Sequence, residues 1–236
     1  MVKLNPSESL WNLLHDVDTP TVCNAIEVAQ GKRGFNNFTK GTMQSSDPNY
    51  GSFVGYARTA KISGISAPTE PPETIRALRM KYFHHMAKGK EPKIAVVEDV
   101  DFPNCVSAWW GEVHTAVHKG LGVAGALTNG VMRDLGDLEP GFPVIAGSIG
   151  PSHAFVRATE LATKVNIFGL EIDDGDLIHA DRHGALVIPS DVIIVLEASL
   201  EKLISTEHLI LGPAREPNFN IEKLEIAWKR FEKART

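Results

Sequence analysis

The chain has 236 residues, 43% of them hydrophobic and 22% charged, a net charge of −5 and two cysteines. That composition belongs to a globular protein large enough to bury a core without disulfide or metal staples, and the lack of a basic block argues against nucleic acid as the main partner. No apolar run approaches the ~18 residues that cross a bilayer, Cys23 and Cys105 stand far apart without ligand spacing, and MVKLNPSESLWNLL lacks the apolar stretch and cleavage site of a secretory leader, so a reducing, cytoplasmic location with no membrane partner is expected.

In chain order, residues 7–16 read as a short helix carrying Leu10, Leu13 and Leu14. Asp18 or Thr19 caps a second helix, with Pro20 in its first turn, an inward stripe of Val22, Ala25, Ile26 and Ala29, and Gly31 at its end. Residues 36–50, rich in Asn, Ser and Gly, form a loop, and 53–62 a strand in which Gly55 marks a bulge or close approach. Pro71 and Pro72 open a helix with Ile75, Leu78, Tyr82, Phe83 and Met86 on its apolar positions, closed by Gly89. Residues 93–97 are a strand running out through Glu98, Asp99 and Asp101 into a loop.

The stretch AWWGEVHTAVHKGLGVAGALTNGVMRD, residues 108–134, is where the function is expected. From Trp109, the positions Val113, Ala116 and Val117 repeat with helical spacing, and Gly120 and Gly122 stop that helix. Residues 123–127 suit a strand buried on both faces, and Asn129-Gly130 then turns the backbone where a positive φ is cheap. Arg133 and Asp134 follow, beyond a strand's carboxyl end, the edge at which open α/β sheets bind ligands. Downstream, 143–146, 165–172, 176–180 and 185–188 read as short strands with turns at 173–176 and 181–184. A helix from Pro189 carries Val192, Val195, Leu196 and Leu203, and a last one after Gly212-Pro213 carries Ile221, Leu224, Trp228 and Phe231. The pattern is α/β, one domain over 1–236, with a core of about 10–201 and a helical extension of about 202–236.

Several motifs fail on context. Residues 120–125 match G-x-G-x-x-G, but a dinucleotide loop opens a helix and these glycines close one. His114 and His118 share a helix face, yet residue 115 is Thr where a zincin needs Glu, so surface or satisfied histidines are the better account. His179, Asp181 and His183 suit a polar hairpin, the acids Glu171, Asp173, Asp174 and Asp176 a turn, and His84-His85 a helix C-terminal half favoured by the dipole. Glu112, Arg133 and Asp134 remain. A helix N-terminus offers free N–H groups to an anion, a carboxylate can hold a hard cation that keeps its waters, and a guanidinium can pair with a substrate carboxylate. Together they would suit a small α-keto acid.

Glu112, twenty intervening residues and Arg133-Asp134 resemble the acid-x20-Arg-Asp motif of the class II pyruvate aldolases in the RraA-like family. The context DTPTVCNAIE, VGYARTAKI, WGEVHTAVHKGLGVAGALTNGVMRDL, GFPVIAG and DGDLIHADRHGALVIP extends that resemblance over roughly 10–201. It implies a swivelling β/β/α domain, assembled as a homotrimer or homohexamer with sites at subunit interfaces. By the same resemblance Asp134 would ligate a divalent ion, Mg²⁺ or Mn²⁺. Arg133 would hold the pyruvyl end of the substrate and offset charge on a developing enolate. Glu112 would orient a metal-bound water, and backbone N–H groups near Val113 and His114 would receive the carboxylate. An acid given by the neighbouring subunit would come from Glu197, Glu201 or Glu207. The implied activity is a lyase that cleaves a 4-hydroxy-2-oxo acid to pyruvate or decarboxylates oxaloacetate. Non-catalytic regulators of ribonuclease E share the family, and the metal aspartate they typically lack is present here as Asp134. Two positions depart from the family pattern: Glu112 stands where Asp is commoner, and Asn129 where many relatives carry Asp.

Overall fold

Ile94, Ala95, Val96 and Val97 are all fully buried, as an apolar run at the centre of a parallel sheet must be when both faces are covered. They lie in β3 (Lys93–Asp99), which pairs in parallel with β2 (Phe53–Ser63) on one side and β5 (Val123–Thr128) on the other. The parallel order continues into β7 (Val144–Ala146), and β1 (Gln44–Ser45) joins that edge antiparallel. Beyond β2 lies the antiparallel hairpin of β12 (Leu177–Asp181) and β13 (Gly184–Val187), while β9 (Arg157–Leu161) pairs with the far end of β2. A second, three-stranded parallel sheet is made of β4 (Ala108–Trp110), β6 (Val131–Met132) and β8 (Ser148–Ile149). This is a computed structural model that describes residues 5–235; residues 1–4, where the expectation about a leader begins, and residue 236 lie outside the described residues.

Three apolar clusters hold these layers together. Helices α1 (Glu8–Asp16), α2 (Thr19–Gln30) and α5 (Ile193–Ala214) bury Leu10, Leu14, Val22, Ile26, Leu196 and Leu200 against Val54 and Leu186. Helices α3 (Pro72–Ala87) and α4 (Glu112–Gly120) cover the opposite side, where Tyr82, Met86, Trp109 and Trp110 meet Ala60, Val97 and Ala126. The hairpin of β10 (Val165–Ile167) and β11 (Leu170–Ile172) closes the third over Phe53, Val96 and Ile178. The expected α/β class is what the chain forms.

Local chemistry sets the first helix ends, those of α2 as expected and that of α1 by a cap at Ser7, one residue before the helix begins. Ser7 Oγ accepts the Leu10 N–H at 3.0 Å, Asp18 Oδ1 accepts that of Thr21 at 2.9 Å, and Gly31 ends α2 at φ 64. Three expectations need correction. Residues 165–172 are not one strand but a hairpin, turning at Phe168-Gly169 with φ 49 and 80; a two-residue turn with both φ positive usually advertises itself as Asn-Gly, and Phe-Gly does not. In α5, which begins at Ile193 and runs on through Gly212 and Pro213, Val195 is exposed and Leu196 and Leu200 face inward. In α6 (Ile221–Arg235), Ile221 and Trp228 are exposed and Ala227 is buried.

Candidate functional site

The small sheet aligns Ala108 with Val131 and Ser148, and Trp110 with Met132 and Ile149, so its three parallel strands end level. Directly beyond those ends come Gly111-Glu112, Arg133-Asp134 and Gly150-Pro151. The edge at which the candidate residues stand is therefore that of this sheet. It is not the end of the 123–127 strand, because β5 stops at Thr128 in the larger sheet and Asn129-Gly130 carries the chain across to β6.

That crossing is not the left-handed turn expected from the sequence, since neither Asn129 nor Gly130 has a positive φ. Asn129 Oδ1 instead accepts the Asp99 N–H at 2.7 Å while its Nδ2 donates to Asp99 O at 3.1 Å. Its amide thus stands in for one more peptide in the β3–β5 ladder, which a carboxylate, having no donor, could not do. Gly130 serves a close approach: a Cβ there would come 3.0 Å from Asp99 Cβ and 3.2 Å from Thr128 Oγ1.

Helix α4 is turned the other way from expectation. Trp109 belongs to β4, and Val113, Ala116 and Val117 are all exposed, Val113 at 68%. The inward face is His114, Thr115 and His118; Thr115 and His118 find partners, whereas the buried Nδ1 of His114 has none among the described residues and its ring packs edge-on to Trp109. Thr115 Oγ1 donates to the Gly111 and Glu112 carbonyls, at 3.1 and 2.9 Å, and accepts the Glu139 N–H at 3.0 Å. Trp109 Nε1, which can only donate, reaches Tyr82 Oη at 3.2 Å. Tyr82 must then give its own proton to His118 Nε2 at 2.7 Å, leaving His118 Nδ1–H to donate to His114 O at 2.6 Å. This chain of bonds pins β4, α3 and α4 together behind the site.

The histidines in these layers stay neutral. Burial holds His118 and His179 at about 4, and burial, then His118, Arg79 and Arg133, push His114 down to about 3. Each folded-state pKa lies below the ordinary 6.5, so as pH falls through 6.5 the unfolded chain takes up protons that the folded one refuses. Stability is fully present above about 6.5 and is lost between there and about 3, the lowest of the three folded-state values. We expect the thermal midpoint to be flat above pH 7 and to drop by roughly 10 °C by pH 4.5; an unchanged midpoint across that range would contradict the neutral buried imidazoles.

At the front of α4, the helix N-cap is Gly111, which has no side chain to offer. Asp134, two residues past the end of β6, takes that place: its Oδ2 accepts the Glu112 N–H at 3.2 Å. Asp134 adopts φ 58, a left-handed conformation that Asp tolerates better than most residues, and its carbonyl accepts the Asp137 N–H at 3.0 Å. Arg133 extends the β4–β6 ladder by donating its N–H to Trp110 O at 2.9 Å. Its Nε lies 3.6 Å from Asp134 Oδ2 with both side chains about one-third exposed, a pair worth little in itself. Gly111 is the residue the sequence reading missed: a Cβ there would stand 2.5 Å from Asp134 Oδ2 and 3.2 Å from Arg133 Nε. Glu112 is exposed at the helix start, and the N–H groups of Val113 and His114, in the first turn, have no partner within the helix.

The structure thus brings Glu112, Val113, His114, Arg133 and Asp134 to one place. Glu197, Glu201 and Glu207 are elsewhere, on α5, which packs on α1, α2 and α6; Glu197 accepts a hydrogen bond from Ser7 Oγ at 2.8 Å. Among the described residues no group of three or more His, Cys, Asp or Glu is arranged to hold a metal, which is unlike a closed zinc site. Asp134 Oδ1, however, makes no hydrogen bond to a described residue. One free carboxylate oxygen at an open edge fits Mg²⁺ or Mn²⁺, ions that keep several waters and bind through one or two carboxylates.

The set-aside motifs are structural. His179 donates from Nε2 to Leu14 O at 2.8 Å with Nδ1 on Thr19 Oγ1 at 3.0 Å, and Asp181 binds the Thr19 and His183 N–H groups, as a polar hairpin does. His85 needs more than the helix dipole to explain it. It accepts from Arg58 at 2.6 Å and lies 3.3 Å from Asp174, tying α3 to β2 and the 173–176 turn.

The family model Aldolase/RraA, of the RraA-like family, matches residues 19–187. The chain is a member of the RraA-like family. An uncharacterized protein of Methanocaldococcus jannaschii is 31% identical over 101 residues, 42% of this chain, and the match spans about half (49%) of that relative's length. Among solved structures, an uncharacterized protein from Pseudomonas syringae pv. tomato superposes with TM-score 0.71 at 18% identity, covering 97% of both chains. RraAS2 of Streptomyces coelicolor, described as an unusual member of the RNase ES inhibitor RraA family, gives 0.68 at 21% identity, covering 90% of this chain and all of its own (100%). These likenesses show the RraA-like swivelling β/β/α fold. The family includes aldolase and decarboxylase enzymes as well as RraA regulators.

Proposed function

We propose that this RraA-like protein is a divalent-metal-dependent lyase that cleaves a 4-hydroxy-2-oxo acid to pyruvate, or decarboxylates oxaloacetate. The observation that carries the reading is the meeting of Glu112, Arg133 and Asp134 around the first turn of α4, whose N-cap Gly111 has no side chain of its own. Asp134 would hold the ion, Mg²⁺ or Mn²⁺, through the oxygen not engaged by the Glu112 N–H. Such an ion supplies Lewis acidity toward a keto oxygen.

The chain's own groups do the rest. The free N–H groups of Val113 and His114 bind the 1-carboxylate, helped by the helix dipole. Arg133 pairs with the pyruvyl end and offsets the negative charge that gathers on the C2 oxygen as the C3–C4 bond breaks. Glu112, exposed at the mouth, passes protons through water: it takes one from the 4-hydroxyl as that carbon becomes a carbonyl and returns one to C3, which completes pyruvate. In decarboxylation only the return step is needed. The longer reach of Glu compared with Asp suits a carboxylate that acts through water.

A homotrimer or homohexamer belongs to the same proposal, and Val113, Ala116 and Val117, exposed beside the site, are the surface that a neighbouring subunit would cover, with Glu197, Glu201 or Glu207 as the acid it would bring. A second reading, a regulator of ribonuclease E, is favoured by the Streptomyces neighbour. One assay separates the two. Chain stripped with chelator and resupplied with Mg²⁺ or Mn²⁺ is expected to release pyruvate from oxaloacetate or a 4-hydroxy-2-oxo acid well above the rate of the ion alone. No such excess on any substrate, with tight binding to ribonuclease E at physiological salt, would replace the lyase by the regulator.

A further inference from the structure

Two residues past β6, Asp134 holds φ 58, a left-handed conformation that an L-residue keeps only where its surroundings fix it. Part of that restraint is local, since its carbonyl accepts the Asp137 N–H at 3.0 Å. Residues 135–137 are exposed, so the chain leaves Asp134 over open surface, and hydrogen bonds next grip it at Glu139 and Pro140. The grip comes from α4. Thr115 Oγ1 accepts the Glu139 N–H at 3.0 Å. Lys119, four residues on and so on the same face of the helix, donates from Nζ to Glu139 Oε1 at 2.9 Å and to Pro140 O at 2.5 Å. The Tyr50 hydroxyl, which donates to Gly141 O at 3.4 Å, is a longer and weaker hold beyond them.

Thr115 is fully buried, and its hydroxyl works in both directions. Its one proton goes to the carbonyls of Gly111 and Glu112, at 3.1 and 2.9 Å, while its oxygen receives the Glu139 N–H. The segment that starts at Asp134 is thereby tied to the same turn of α4 that Asp134 Oδ2 caps through the Glu112 N–H. Helix start, Asp134, loop and Thr115 form a closed circuit. Resting on the lyase reading above, we propose that Thr115, assisted by Lys119, is a positioning residue that holds the Asp134 carboxylate where an ion can reach its free oxygen. Thr115 is sealed from solvent and acts only through the loop. With the Glu139 N–H released, Asp134 relaxes toward an ordinary negative φ and its carboxylate swings away from the first turn of α4.

Mn²⁺ titration of the full-length, chelator-stripped protein, with free ion read by electron paramagnetic resonance well below the thermal midpoint, tests this without requiring turnover. Thr115→Val, nearly the same shape without the hydroxyl, should weaken Mn²⁺ binding about tenfold, the scale of one lost hydrogen bond, and Thr115→Ser should stay within about twofold of wild type. Lys119→Met, a change to a side chain 45% exposed, should weaken binding about threefold. Lost stability alone does not lower affinity where the chain is still folded, so Ile178→Val, a change in the core cluster on the hairpin side of the sheet, should leave Mn²⁺ affinity unaltered. Wild-type affinity in Thr115→Val, or in Lys119→Met if Thr115→Val does not fold, overturns the assignment, as does equal weakening in Thr115→Ser or Ile178→Val. A wild type that binds no Mn²⁺ overturns it together with the lyase reading, whereas a wild type that binds Mn²⁺ and releases no pyruvate defeats the lyase reading alone.

Discussion

Asp134→Asn will lose at least a hundredfold in kcat on oxaloacetate while the fold stays intact. The side-chain amide keeps an oxygen to accept the Glu112 N–H, now made at 3.2 Å by Oδ2, and Asn tolerates the φ of 58 as well as Asp does. What disappears is the negative charge that a divalent ion needs. Arg133→Ala should lose a similar factor for a different reason. Its backbone bond to Trp110 O remains, but the charge opposite the developing oxyanion is gone, and removal of one such group typically costs about 10²–10³ in kcat. The pair also separates by metal response: excess Mg²⁺ should recover part of the Asp134→Asn activity and none of that of Arg133→Ala. Unchanged decarboxylation by both purified variants would remove these residues from the chemistry.

Why the sequence disclosed some of this and not the rest follows from the range of the signals. Caps and stops are local, so Asp18 and Gly31 were legible, as was β3, whose run of buried residues at 94–97 has no polar interruption. The orientation of α4 was not. Its apolar stripe, Val113, Ala116 and Val117, is real but faces outward, and the inward face is built from His118 and Thr115, whose burial is possible only because Tyr82 and Glu139 supply partners from distant parts of the chain. Strands of two or three residues, such as β6 and β8, are too short to show a period, so the second sheet and the edge at which the candidate residues stand were hidden. The spacing singled out Glu112 and Arg133-Asp134, and the fold sets them side by side. Asp134's left-handed backbone and its capping bond to α4 were beyond that, because they depend on what lies opposite.

Gly111 is the sharpest case, and Gly111→Ala should inactivate the protein with little loss of stability. Its φ of −157 and ψ of −175 are ordinary extended values that alanine adopts without strain. A methyl group there would, however, lie 2.5 Å from Asp134 Oδ2 and 3.2 Å from Arg133 Nε. Both atoms belong to side chains about one-third exposed, so they can swing outward instead of forcing the strands apart. The displaced carboxylate gives up the Glu112 N–H and its place beside the helix N-terminus, and the guanidinium moves with it. Since misplacement by about 1 Å can cost a hundredfold, pyruvate release should fall by about that factor or more, with a thermal midpoint within about 4 °C of wild type, the shift expected for some 1 kcal/mol in a chain of this size. A Gly111→Ala protein with full activity would mean that Asp134 and Arg133 need not stand where they do, whereas one that fails to fold would place the importance of Gly111 in packing and not in the site.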